Sequence, residues 1–148
     1  MIELLIAIVV LGVLMAVAYP SYQSQIRKTR RAEAFTALSN IQQAQERHRS
    51  TRTAYTVEIT AATTATPPGL AQPGTLMSSG YYNLAITLVS GGTTSYDVTA
   101  TAVSTTSQGA DTGCSVLGVR IEGGNIRYGA GTTTIDWTNP DPMRCWAR

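Results

Sequence analysis

The chain opens on a stretch that is apolar at every position, not at every third or fourth. Leu4 to Ala18 is 15 residues without one charge, preceded by Met1, Ile2 and a single carboxylate, Glu3. That is short of the roughly 20 residues that cross a bilayer as a helix. Adding Met1, Ile2 and Tyr19 approaches that length but takes Glu3 inside the span, where a carboxylate is costly unless a cation offsets it. From Ser21 to about Arg52 good helix formers dominate. Ile26, Ala34, Leu38, Ile41 and Ala44 recur at steps of three, four or eight, one apolar stripe on a polar helix. Gly12 and Pro20 are the weak points of the rod, and a kink or local melting is expected at the proline. Residues 2–52 as one helix would run about 75 Å, too long for a globular domain to bury.

Beyond Thr53 the helical period ends. Residues 54–80 are a loop, with Pro67, Pro68, Gly69, Pro73 and Gly74 and no period. Three runs then alternate apolar and polar positions over part of their length: Tyr81 to Val89, Ser95 to Val103 and Ser115 to Glu122. Gly91-Gly92 predicts a hairpin between the first two. Glu122-Gly123-Gly124-Asn125 predicts a tight turn into a fourth strand, Ile126 to Tyr128, while Gly129-Ala130-Gly131 reads as a turn. An antiparallel sheet on the polar half of the helix would bury both the helix stripe and one sheet face. The expected fold is α+β: a long N-terminal helix, part apolar stalk and part amphipathic, on a roughly four-stranded antiparallel sheet with a C-terminal disulfide loop. The expected divisions are a stalk over 1–26 and a head over 27–148. The head comprises the helix half 27–53, the loop 54–80, the sheet 81–137 and the disulfide region 114–145.

Composition changes this picture in one respect. Only 14% of residues are charged, against about 25% in ordinary soluble domains. The shortfall lies in the apolar opening and in a Thr/Ser/Gly/Ala-rich second half, which suits extracellular β structure. Thr/Ser density around 60–66 and 99–107 fits a solvated surface or O-linked glycans.

The formal charge of +2 is unevenly spread. Residues 27–52 carry seven Arg/Lys against Glu33 and Glu46, while the stretches on either side are net acidic. Arg27, Lys28, Arg30 and Arg31 thus form a basic collar next to the apolar rod. The bland expectation is a solvated helix face; contact with phosphates of lipid or DNA is the sharper one.

The only cysteines are Cys114 and Cys145. Neither has a second Cys or a His at zinc spacing, so no metal site is expected. With an export-like N-terminus the pair reads as one disulfide, against the alternative of two free thiols. No nucleophile lies beside a base, there is no phosphate-binding glycine loop, and His48, between Arg47 and Arg49, is expected to be exposed. Neither enzymatic activity nor a cofactor is expected.

Three readings compete for the opening segment. Ala16-Val17-Ala18 is a signal-cleavage pattern, but no Lys or Arg precedes the apolar run. A plain membrane anchor is the second. The third is a helix that resides first in a membrane and later in an assembly, and it alone gives Glu3 a role.

Ile2-Glu3-Leu4-Leu5-Ile6 resembles the Phe-Thr-Leu-Ile-Glu-Leu opening of type IV pilins, with Met1 in place of that family's leucine. Ala18-Tyr19-Pro20-Ser21-Tyr22 and Arg30-Arg31-Ala32-Glu33-Ala34 resemble the continuation of the same helix, and Arg144-Cys145-Trp146 the end of its disulfide loop. The resemblance is dense over 1–50 and sparse beyond. The family's leader and Phe-Thr pair are not among these 148 residues.

The resemblance implies a homo-oligomeric helical filament, extracellular as a pilus, whose subunits wait in the inner membrane for an assembly machinery. It implies that Glu3 pairs with the methylated N-terminal amine of a neighbour and that the segment from Gly12 to Pro20 loses helix in the filament. Adhesion, twitching motility and DNA uptake are the implied roles, with weak DNA or surface binding. A pseudopilin of a secretion system and a secreted binding domain cleaved at Ala18 are the alternatives. Physics favours polymerisation independently: each large apolar side chain fully buried in a shared core contributes about 1.5–3 kcal/mol, far more in total than association costs.

Overall fold

The computed structural model describes residues 2–89 and 92–146. One helix, α1 (Ile2–Ser50), precedes four strands: β1 (Tyr82–Leu88), β2 (Tyr96–Ala102), β3 (Val116–Glu122) and β4 (Asn125–Gly131). They form one antiparallel sheet in the order β1-β2-β3-β4. This is the expected α+β arrangement. Gly91 of the expected Gly91-Gly92 turn lies outside the described residues; Leu88 pairing with Tyr96 closes that hairpin.

The core sits where the helix stripe meets the sheet. Ala34, Leu38, Ile41 and Ala44 are buried against Tyr96, Val98, Leu117, Val119 and Ile121. The small residues Ala34 and Ala44 let the helix approach the sheet, and Leu38 and Ile41 fill the space between. Gln45 continues the stripe as a polar residue. Its amide donates to the Thr56 carbonyl at 2.5 Å and accepts from the Thr56 N–H at 3.2 Å, tying the loop after α1 back to the helix. Ile59 and Leu70, in a segment that carries no period, also enter the core.

α1 is helical at Gly12 and Pro20; one missing donor in a long helix is outweighed by cooperative bonding on both sides. Two expectations are corrected. Gly129-Ala130-Gly131 is not a turn but the end of β4. His48 is buried, with 7% of its surface exposed, because the chain after α1 folds back over the last helical turn.

The hairpin β3–β4 turns through Gly123 and Gly124 at φ +57° and +79°, the left-handed pair that matches strand twist. On the face of the sheet away from α1, Ile135 lies over Gly118 and Gly129. A Cβ at either glycine would come 2.5 Å from its side chain. The segment then crosses the edge of the sheet, where Ala130 N–H donates to the Pro140 carbonyl at 2.6 Å. Asp141 accepts from the N–H groups of Cys145 and Trp146. Trp146 stacks on Phe35 of α1 at 4.2 Å and donates to the Gly129 carbonyl. The Cys114–Cys145 disulfide closes this strap, with Cα atoms 5.8 Å apart; in the chain-entropy model such a loop is worth about 3–4 kcal/mol.

Burial pushes the phenols of Tyr82 and Tyr96 above their ordinary range, with Asp111 reinforcing the shift at Tyr82 and Glu46 at Tyr96. A raised pKa means the folded state holds its proton more tightly than the unfolded chain. Stability is therefore complete while unfolded tyrosine is still protonated, and it is lost as pH rises above about 10. The urea midpoint should be level between neutral pH and pH 9 and fall steeply beyond 10. Phenolate absorbance should show two of the seven tyrosines ionising only as the fold is lost.

Candidate functional site

Two surfaces stand out against the buried head. The first is the lower half of α1. Every large apolar side chain from Ile2 to Val17 is exposed, and so are Tyr19 and Tyr22; Leu5 is 60% and Val17 74% accessible. An 18-residue window here has a mean hydropathy of 2.6, and none of it is buried within the chain. Glu3 lies in the first turn, where a carboxylate is favoured by the helix dipole. Gly12 has open space around it.

The second surface begins where the stalk meets the head. The collar is not the solvated face that its charge pattern suggests. Arg27 Nη1 donates to the Ala110 carbonyl at 3.1 Å. Arg30 donates to the Ser107 hydroxyl and stacks over the Tyr81 ring at 3.8 Å. Arg31 clasps the Asp111 carboxylate with two bonds of 2.7 and 2.6 Å. Three of the four collar residues thus bind residues 107–111, within the connection between β2 and β3.

Arg31 is held above its usual pKa chiefly by this hydrogen bond. Asp111 is itself buried and also accepts from the Gln108 amide, which donates in addition to the Tyr82 hydroxyl at 2.8 Å. Lys28, the remaining collar residue, is exposed. It lines a cleft of about 1010 Å³ between α1 and the disulfide loop, with Arg144 on the opposite side.

A second group of cations caps the far end of α1. Arg47 is exposed, the Arg49 guanidinium lies 5.0 Å over the Tyr55 ring, and Arg52 donates to the Thr63 carbonyl at 2.8 Å. His48 and Arg52 line two small clefts rich in threonine, one of which Arg47 also borders. Among the described residues no cluster of His, Cys, Asp or Glu could hold a metal ion.

Of the residues singled out in the sequence, Cys114 and Cys145 are brought together, and Arg27, Arg30 and Arg31 converge on one connection. Glu3, Gly12 and Pro20 remain apart from the head on the stalk. Sequence reasoning missed Gln108 and Asp111, because no local pattern links them to arginines about 80 positions earlier. His48 was within reach: it falls four residues after Ala44 on the buried stripe.

Removing Arg31 leaves a buried carboxylate without its partner. Arg31→Ala should cost about 3–5 kcal/mol, read from urea unfolding, and should speed amide exchange selectively over residues 104–113. Lys28→Ala, which breaks no bond in the head, should leave both unchanged.

Residues 20–118 match the family model described as "Type IV minor pilin ComP, DNA uptake sequence receptor". The match takes in the upper helix, the loop, β1, β2 and the first three residues of β3. No curated protein matches.

Proposed function

Because the chain belongs to the type IV minor pilin family, a family of structural and not catalytic subunits, we propose that it is a minor subunit of an extracellular type IV filament, held in the inner membrane by its stalk before an assembly machinery incorporates it. The observation that carries this reading is the bare stalk. An uncharged apolar surface from Leu4 to Val17, extended by Tyr19 and Tyr22, requires a cover, first lipid and then the stalks of other subunits. Residues 1–26 then act as anchor and filament core and residues 27–148 as the head; Arg27 makes the first stalk-side contact to the β2–β3 connection.

Glu3 is the register device. Inside an apolar filament core it opposes burial unless a neighbour's N-terminal amine pairs with it, so only the correct stagger is favourable. Gly12 and Pro20 are the points at which α1 gives way when stalks crowd together. Neither is constrained by head contacts in the free subunit.

Sheared surface fibres from the native host should contain the chain with its Glu3 segment, N-methylated and two hydrogens short for the disulfide, by intact mass. Glu3→Ala should leave the amount in the membrane unchanged and reduce the amount in fibres at least tenfold. A periplasmic form beginning near Tyr19, absent from fibres, overturns the reading in favour of a secreted domain.

The family description favours DNA uptake over adhesion or motility, and the cations at the top of α1 support it. Arg47, Arg49 and Arg52 lie some 25 residues above Tyr22, clear of the stalk packing, and threonine hydroxyls surround them. No exposed aromatic ring is offered there for stacking bases, because Arg49 covers one face of Tyr55 and Tyr96 meets it edge-on. Backbone phosphates of duplex DNA are the matching ligand. Arg47→Ala with Arg52→Ala should weaken duplex binding evenly across sequences and reduce the salt slope by about 2. Unchanged binding in a gel-shift titration would remove this surface from the reading.

A further inference from the structure

The stalk ends in a graded sequence of side chains. Apolar residues reach Ala18, Tyr19 and Tyr22 follow with 64% of their surface exposed, and Arg27, Lys28 and Arg30 come next. Tyrosines at this place are what a membrane interface favours. Arg27 lies nine residues past Ala18, about 13 Å along the helix. The headgroup layer extends about 5–7 Å beyond the hydrocarbon. Side chains on a helix lean toward its N-terminus, here toward the bilayer, and a long cationic chain covers roughly the remaining 6 Å by snorkelling.

The charge census of this level is one-sided. No acidic residue lies between Leu4 and Ala32, and none lies in the connection 103–110. Asp111 is matched by Arg31, Asp141 accepts from the N–H groups of Cys145 and Trp146, and Glu33 lies beyond all three collar cations on the side away from the bilayer, five residues past Lys28 and three past Arg30. Arg27 and Arg30 are fixed in place by Ala110 and Ser107 yet use one donor each for hydrogen bonding there, out of five per guanidinium; the Arg27 Nε is buried as well, so its remaining Nη donors are the ones available. Ser104, Thr105 and Ser107 expose hydroxyls beside them.

We propose that the collar is a headgroup-docking surface, in which Arg27, Lys28 and Arg30 hold the phosphates of anionic lipids at the face of the bilayer the stalk occupies. This rests on the membrane-resident stage of the function proposed above. It adds that the head is seated on the lipid surface at a set height and does not swing on a free tether. Arg31 is excluded from the surface, because Asp111 occupies its guanidinium. Duplex DNA offers the same phosphate chemistry, but to reach the collar it has to enter the gap between the head and the bilayer, whereas headgroups are already within reach.

Lys28 is the sole lysine, which makes it a built-in probe. The full chain is reconstituted, head outward, in vesicles of phosphatidylcholine alone or mixed with phosphatidylglycerol. Lys28 is then acylated with an amine-reactive ester and followed by peptide mass. A variant Gln43→Lys adds a second lysine about 22 Å farther along the exposed helix, beyond the screening length of about 10 Å. Acylation of Lys28 should be at least threefold slower in the anionic vesicles and recover at high salt, while the lysine at 43 reacts equally in both. Equal rates at Lys28 overturn the proposal, and so does equal slowing at both positions. Protection by added duplex DNA in phosphatidylcholine vesicles, with none by phosphatidylglycerol, assigns the collar to nucleic acid instead. Alkaline extraction of the same vesicles reports stalk insertion separately, so loss of insertion counts against the membrane-resident stage and retained insertion with equal rates against the docking surface alone.

Discussion

A helix of 49 residues cannot be buried by a sheet of four seven-residue strands, and every other feature of the molecule follows from that mismatch. The head covers about four turns, the stripe from Ala34 to His48. Below it the same rigid rod continues into open space with a surface as apolar as any core. One element therefore serves two environments, and the junction between them must be stiff enough to carry the orientation of one into the other. Arg27, Arg30 and Arg31 supply that stiffness by joining the lowest connection of the sheet to the helix just beneath the last buried turn.

Much of this was legible in the sequence because it rests on local periodicity. The unbroken apolar opening, the stripe from Ala34 to Ala44 and the Gly123-Gly124 turn are each set by neighbours in the chain, and each has its expected place. What local pattern could not supply was long-range pairing. Arg31 and Asp111 are 80 positions apart, so the collar reads as a solvated face until the fold brings a buried carboxylate to it. Gly129 to Gly131 reads as a turn because glycine usually marks one. In the sheet Gly129 is required by the side chain of Ile135 lying across it, and Gly131 by the close approach of the Thr134 carbonyl. The loop after α1 reads as featureless because its core residues, Ile59 and Leu70, are single anchors in polar surroundings with no repeat to betray them.

The two halves of the chain also differ in how their polar groups are managed. In the head, two buried or half-buried charge pairs are matched in geometry: Arg31 with Asp111, and Arg120 with Asp97 while also lying 4.6 Å over Trp137. In the stalk the only charge is Glu3, left for a partner outside the chain. A subunit arranged this way is complete as a folded head and incomplete as a rod, which is the condition for adding to a growing assembly without unfolding.

The strap that closes on Cys145 has a further effect on the sheet. Open edges of antiparallel sheets recruit other strands, and secreted proteins held at high local density are at risk from this. Here β4 is blunted by the Pro140 carbonyl at one end and carries the exposed cation Arg127 at the other, while at β1 the stretch around Leu76 bridges to Asn83. Neither border is left as a clean template for amyloid-like stacking. In the proposed filament, molecules crowded side by side would meet through their rods without their sheets fusing, and aggregation would be kept off the route that leads to ordered growth.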